Sequence, residues 1–122
     1  MSSFTNKLTV TKINKREWRV ERRFSYKVGG LSSHVSVKVP RGFITDFASV
    51  PRIFWIIFPP DGQYTQAAVV HDCLYHTHQF ERKECDRIFC EAMEVLNVPR
   101  WKRWVMYKAV RTFGGFVWKK RG

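Results

Sequence analysis

The first third of the chain alternates between apolar and polar positions. "KLTVTKI" alternates, and "EWRVERRFSYKV" sets Trp18, Val20 and Phe24 among charges. In "HVSVKVP" the side chains of Val35, Val37 and Val39 fall on one face. A period of two marks strands with one buried and one wet face, as in antiparallel sheets. "GGLSS", residues 29–33, is a loop signal between two runs, and Pro40-Arg41-Gly42 breaks the last run before "FIT" briefly resumes it. Residues 1–45 therefore read as an antiparallel meander.

Beyond residue 45 the period changes to offsets of three and four. Ser49 is a helix N-cap candidate with Pro51 in the following turn, and the apolar run "RIFWIIF" stops at Pro59-Pro60. "PPDG" is a turn. A second helix is predicted over residues 64–78. A third opens at Glu81 or Arg82 and ends near Asn97. A fourth runs from about Pro99 to Phe113, where Gly114-Gly115 reads as its stop. Residues 49–113 are thus mainly helical, and 114–122 form a basic tail. Strands followed by helices predict a single α+β domain over residues 1–122, with an N-terminal antiparallel meander sheet packed against three to four C-terminal helices.

The helical spacing brings polar residues onto apolar faces. In "AAVVHDCLYH", Ala67, Ala68, His71, Leu74, Tyr75 and His78 share one broad stripe, and Asp72 sits one position round. In the next helix Cys85, Ile88, Phe89, Ala92, Met93 and Leu96 form the apolar side. Asp86 lies at its inner edge, with Arg82 four residues earlier as a same-face partner. Asp46 follows a short apolar strand and precedes the first predicted helix, a junction that suits a functional side chain, an Asx-turn or a cap.

Two chemistries fit this set. Asp46, His71 and Asp86 offer the mixed nitrogen and oxygen ligands of a divalent ion such as Zn, which would activate water for hydrolysis. Asp72 would then act as general base or orient the histidine, and Arg82 would fix Asp86 or hold an anionic substrate group. Alternatively, inward His–Asp or Asp–Arg pairs tie helices together, because buried charges must be paired. HExxH and HxxxH motifs are missing, and the five-residue step from His71 to His76 turns the second ring about 140° round the helix. No GxSxG, GxGxxG or GxxxxGK[ST] motif occurs, and a Cys73–His71 dyad would need two helix faces at once. The HD dipeptide resembles that of the HD phosphohydrolases, but the only upstream histidine, His34, lies in a strand-like segment.

Composition adds a charge argument. A chain of 122 residues with 44% hydrophobic content builds one core rather than staying disordered. The formal charge is +12, and no acidic residue follows Glu94. In that C-terminal stretch Arg100, Lys102, Arg103, Lys119, Lys120 and Arg121 mark a surface for a partner or polyanion, interleaved with Trp101, Trp104, Tyr107, Phe116 and Trp118. Nucleic acid, an anionic membrane surface and an acidic protein all suit it, as does solubility alone. The three cysteines contain no CxxC, and "MSSFTNKLTV" lacks the apolar core of a signal peptide, so free thiols in a reducing cytosol are expected. The apolar run of residues 53–58 is too short to span a bilayer.

Three ordered segments carry a resemblance: Thr45 to Arg52 in "GFITDFASVPRIFW", His71 to Tyr75 in "HDCLY", and Arg82 to Phe89 in "RKECDRIF". With "MYKAVRTFGG" they look like the uncharacterised family called domain of unknown function 1353, over roughly residues 39–115. That resemblance implies a bacteriophage or prophage origin and a place in the host bacterial cytoplasm or the virion, but no reaction. Its segments hold the same inward residues, Asp46, His71, Asp72, Arg82 and Asp86. Two functions remain open. One is a metal-assisted hydrolase. The other is a non-enzymatic phage accessory or virion-associated protein that binds a phage structural protein or a host protein through its basic aromatic surface.

Overall fold

A computed structural model describes residues 3–4, 7–14, 17–28, 36–45 and 65–121. Asp46 and the helix predicted over residues 49–58 lie outside them. Among the described residues six short strands come first: β1 (Ser3–Phe4), β2 (Val10–Lys12), β3 (Trp18–Val20), β4 (Phe24–Lys27), β5 (Ser36–Val39) and β6 (Ile44–Thr45). Among the described residues three helices follow: α1 (Thr65–Thr77), α2 (Arg82–Val95) and α3 (Arg100–Arg121). The order is the α+β arrangement that the change of period predicts.

The strand pairing is antiparallel throughout, but β1 pairs with β4 and β6 with β3. The result is two three-stranded sheets, ordered β1-β4-β5 and β2-β3-β6, rather than one continuous meander. In the first, Phe24 faces Val39 and Tyr26 faces Val37, and all four are buried. These same-face apolar pairs fix the register, since a slip of one residue would turn them to solvent. Gly42 carries a φ of +90° in the turn between β5 and β6, where the Val20 carbonyl accepts its N–H at 2.7 Å. That backbone angle calls for glycine.

α1 is the centre of the domain. It packs on α2 and α3 on one side and on β5 and β6 on the other. Every residue from Ala67 to Tyr75 is consequently buried, and a helix covered all round has no wet face on which to put a polar side chain. This explains the adjacent His71 and Asp72: successive side chains project about 100° apart, so the two meet different layers. At its C-terminus His78 takes a φ of 53° and donates its N–H to the Leu74 carbonyl, closing the helix. Its ring stacks on Trp118 at 3.7 Å, nearly parallel, which holds this unusual conformation.

α2 ends in a Schellman closure. Asn97, at φ 63°, donates to the Glu94 carbonyl, and Val98 donates to that of Met93, with Val98 and Met93 both buried. Replacing Asn97 with valine is expected to cost about 1–2 kcal/mol in urea unfolding, since a β-branched residue resists this conformation, whereas Asn97→Gly should be neutral or stabilising.

One boundary differs from the sequence expectation. α3 does not stop at Gly114-Gly115; it continues to Arg121, so residues 114–121 are helix rather than tail. The two glycines face Tyr75 of α1 and Arg82 of α2. A Cβ on Gly114 would stand 2.7 Å from the Tyr75 Oη, and one on Gly115 would stand 3.5 Å from the Arg82 guanidinium carbon. Gly114 is a packing window, whereas a Cβ on Gly115 would make only ordinary contact, and at Gly114 helix–helix packing outweighs the intrinsic helix penalty of about 1 kcal/mol.

Candidate functional site

Asp86 organises the buried polar residues. It sits one turn into α2, between the buried Cys85 and Ile88, with its carboxylate fully enclosed. Two α1 side chains, one turn apart, reach its Oδ1: the Tyr75 hydroxyl donates at 2.6 Å, and His71 Nε2 lies at 2.6 Å. From α3, Arg111 Nη1 donates to Oδ2 at 2.9 Å. One carboxylate thus joins all three helices. The imidazole packs between rings, 4.3 Å from Tyr75 and 4.6 Å from Phe89.

The electrostatics follow from burial and partners. Burial alone would raise the Asp86 carboxyl; the hydrogen bonds and charge of His71, with those of Tyr75 and Arg111, outweigh it, so the net shift is downward. Against an ionised Asp86, His71 Nε2 carries the proton and donates. The Tyr75 phenol is pushed upward, first by burial and then by Asp86, against an opposing contribution from Arg82.

Arg82 is not the partner of Asp86 expected from their four-residue spacing. Its Nη2 donates to the Val110 carbonyl at 3.0 Å and to the Arg111 carbonyl at 2.5 Å. The guanidinium lies along α3 at the glycine window and leaves Asp86 to Arg111. The physical cause is that the Val110 and Arg111 carbonyls take up the Nη2 hydrogens of Arg82.

Asp72 belongs to a second contact. Thr45 Oγ1 donates to its Oδ2 at 2.7 Å, tying α1 to β6. Among the sequence-predicted site residues, the structure therefore brings His71 and Asp86 together, gives Asp72 and Arg82 separate partners, and leaves Asp46 outside the described residues. Three participants went unassigned: Tyr75, Arg111 and Thr45. Tyr75 shares the His71 stripe at an offset of four, a signal that could have found it. Arg111 had only its place beside the buried Val110 to mark it among the surface cations.

Among the described residues no group of three His, Cys, Asp or Glu side chains converges as a metal would require. Three protein donors, Tyr75, His71 and Arg111, already take up most of the lone-pair capacity of the Asp86 carboxylate. The thiols are also engaged as buried groups. Cys73 is pushed up to about 11 by burial and the charge of Asp72, and Cys85 to about 12 by burial and that of Asp86. Both are protonated at neutral pH and make weak bonds to the Lys38 and Phe80 carbonyls.

The outer face of α3 has another character. Trp101 and Trp104, one turn apart, are 60% and 62% exposed. Lys102 Nζ lies 5.6 Å from the Trp101 ring centre, and Lys108 Nζ lies 5.8 Å from that of Trp104. Arg100 is exposed beside them, while Arg103 is committed to Glu94 at 2.7 Å. Lys119, Lys120 and Arg121 fall on the last turn, and their side chains lie outside the described set. No acidic residue occurs anywhere in α3. No helix among the described residues is long and apolar enough to cross a membrane.

Comparison with known proteins places the chain in a family. The chain is 40% identical over 78 residues to the uncharacterised protein y4jT of Sinorhizobium fredii, an alignment that covers 62% of this chain and 23% of that protein. The chain thus spans about a quarter of the length of this curated relative. No solved structure matches it. The family model described as "Protein of unknown function (DUF1353)" matches residues 18–110, from the start of β3 to the Val110 carbonyl that receives Arg82, and the chain belongs to that family.

Proposed function

We propose that the protein is a non-enzymatic binding module that docks on an acidic protein surface through the outer face of α3. The observation that carries this reading is the pair of exposed indoles, Trp101 and Trp104, each with a lysine over its ring, on a helix without acidic residues. Exposed tryptophans concentrate binding energy at protein interfaces, and flanking cations steer and select an acidic partner. The partner in this reading is a phage structural protein or a host protein, met in the bacterial cytoplasm or on the virion of a phage or prophage. The test is chemical crosslinking and affinity capture from phage particles and host extract with wild-type, Trp101→Ala/Trp104→Ala and His71→Gln baits. One acidic protein captured by wild type and His71→Gln, and lost in the double variant, is the expected result. Capture that depends on His71 and ignores the indoles would overturn it, as would oligonucleotide or anionic-vesicle binding that outcompetes every protein.

A second reading starts from the nearness of His71 Nε2 to Asp86 Oδ1 at 2.6 Å: a metal-assisted hydrolase in which His71 is released from Asp86, Asp46, His71 and Asp86 hold a zinc-like ion, and Asp72 serves as base. Isothermal titration with Zn²⁺ separates the two. Stoichiometric uptake abolished by Asp86→Asn would favour the hydrolase; heat that does not depend on Asp86 removes it.

A further inference from the structure

On the opposite side of α1 from α2, an open recess of about 800 Å³ lies between the β4–β5 pair, the turn from Pro40 to Phe43 and the last turns of α1. Its volume falls within the range of small-molecule sites. Phe24, Val39, Pro40 and Phe43 supply apolar lining. The Phe43 ring meets that of His76 edge to face at 5.2 Å, making one wall. Arg23, Lys38 and His76 bring basic groups, and none of its described lining residues is acidic. Cys73 also lines the recess, but its thiol is held to the Lys38 carbonyl and stays protonated, so it adds no opposing charge.

We infer that this recess binds a small amphipathic anion, with its apolar body against Phe24, Val39 and Phe43 and its charged group toward Lys38 and Arg23. Apolar lining with a few placed polar groups is the usual composition of such a site, and among its described lining residues the charged side chains are all basic, which selects the sign of the ligand. The site is separate from the α3 face and does not depend on the function proposed for it.

The probe is 8-anilinonaphthalene-1-sulfonate, followed by its fluorescence, beside N-phenyl-1-naphthylamine, which has the same rings without the sulfonate. Wild type should bind the sulfonate saturably at one site and the uncharged analogue about tenfold more weakly, the scale of one partly exposed charge contact. Lys38→Glu reverses an exposed charge, and Thr77→Trp fills the recess from an exposed position; each should weaken sulfonate binding about tenfold or more. Trp104→Ala, on the other surface, should leave it unchanged. Circular dichroism melts confirm that all variants fold. Equal affinity for the two probes, an unchanged affinity in Lys38→Glu or Thr77→Trp, or loss in Trp104→Ala would each overturn the proposal.

Discussion

Asp86→Ala is expected to destabilise the protein by about 3–5 kcal/mol, the typical cost of removing one partner from a buried ion pair. The deletion leaves the Tyr75 hydroxyl, His71 Nε2 and Arg111 Nη1 without their common acceptor, and the first two are buried among apolar side chains. Domain stabilities of about 5–15 kcal/mol make this a large fraction of the total. Urea unfolding at pH 7 measures it, and a loss below about 1 kcal/mol would remove the carboxylate from its central place. The pH dependence has a defined sign. The folded carboxyl is depressed below its unfolded value near 3.9, so its contribution is fully present above that value and disappears as pH falls through the folded one. Asp86→Asn should therefore flatten the acid limb of the stability profile.

Gly114→Ala should be the second most damaging of these changes, at about 1–3 kcal/mol. In an ordinary helix the same change stabilises by about 1 kcal/mol, because alanine is the better helix former. Here the new methyl would meet the Tyr75 Oη at 2.7 Å, and that hydroxyl is fixed on Asp86. Thermal melts of Gly114→Ala against wild type check the sign. Stabilisation would show that the window has slack, and α3 would not need its glycine there.

These two residues show what a sequence can and cannot display. The change of period from two to offsets of three and four is a local signal, so the fold class and the helices α1, α2 and α3 were legible, though the end of α3 and the strand pairing were not. Position on the apolar side of its helix likewise exposed Asp86 and His71 as inward-facing. Pairing between helices is not local. Arg82 at an offset of four looked like the natural partner of Asp86, whereas Arg111, 25 residues away, takes that place. The same limit applies to Thr45, 27 residues from Asp72. Gly114-Gly115 carried two meanings, helix stop or close approach, and only the rings and guanidinium packed against it decide between them. The charge of α3 was legible as composition, but the division between Arg103, which pairs with Glu94, and the lysines over Trp101 and Trp104 was not.

The binding reading leaves the buried cluster a structural task, with Asp86 joining α1 and α2 to α3 through protein donors. A double-mutant cycle between Asp86→Asn and Arg111→Met, read by urea unfolding at pH 7, measures that bond most directly. A coupling energy of about 1–3 kcal/mol between the two sites is predicted, as for residues in one buried hydrogen-bonded network. Additivity within about 0.5 kcal/mol would contradict it.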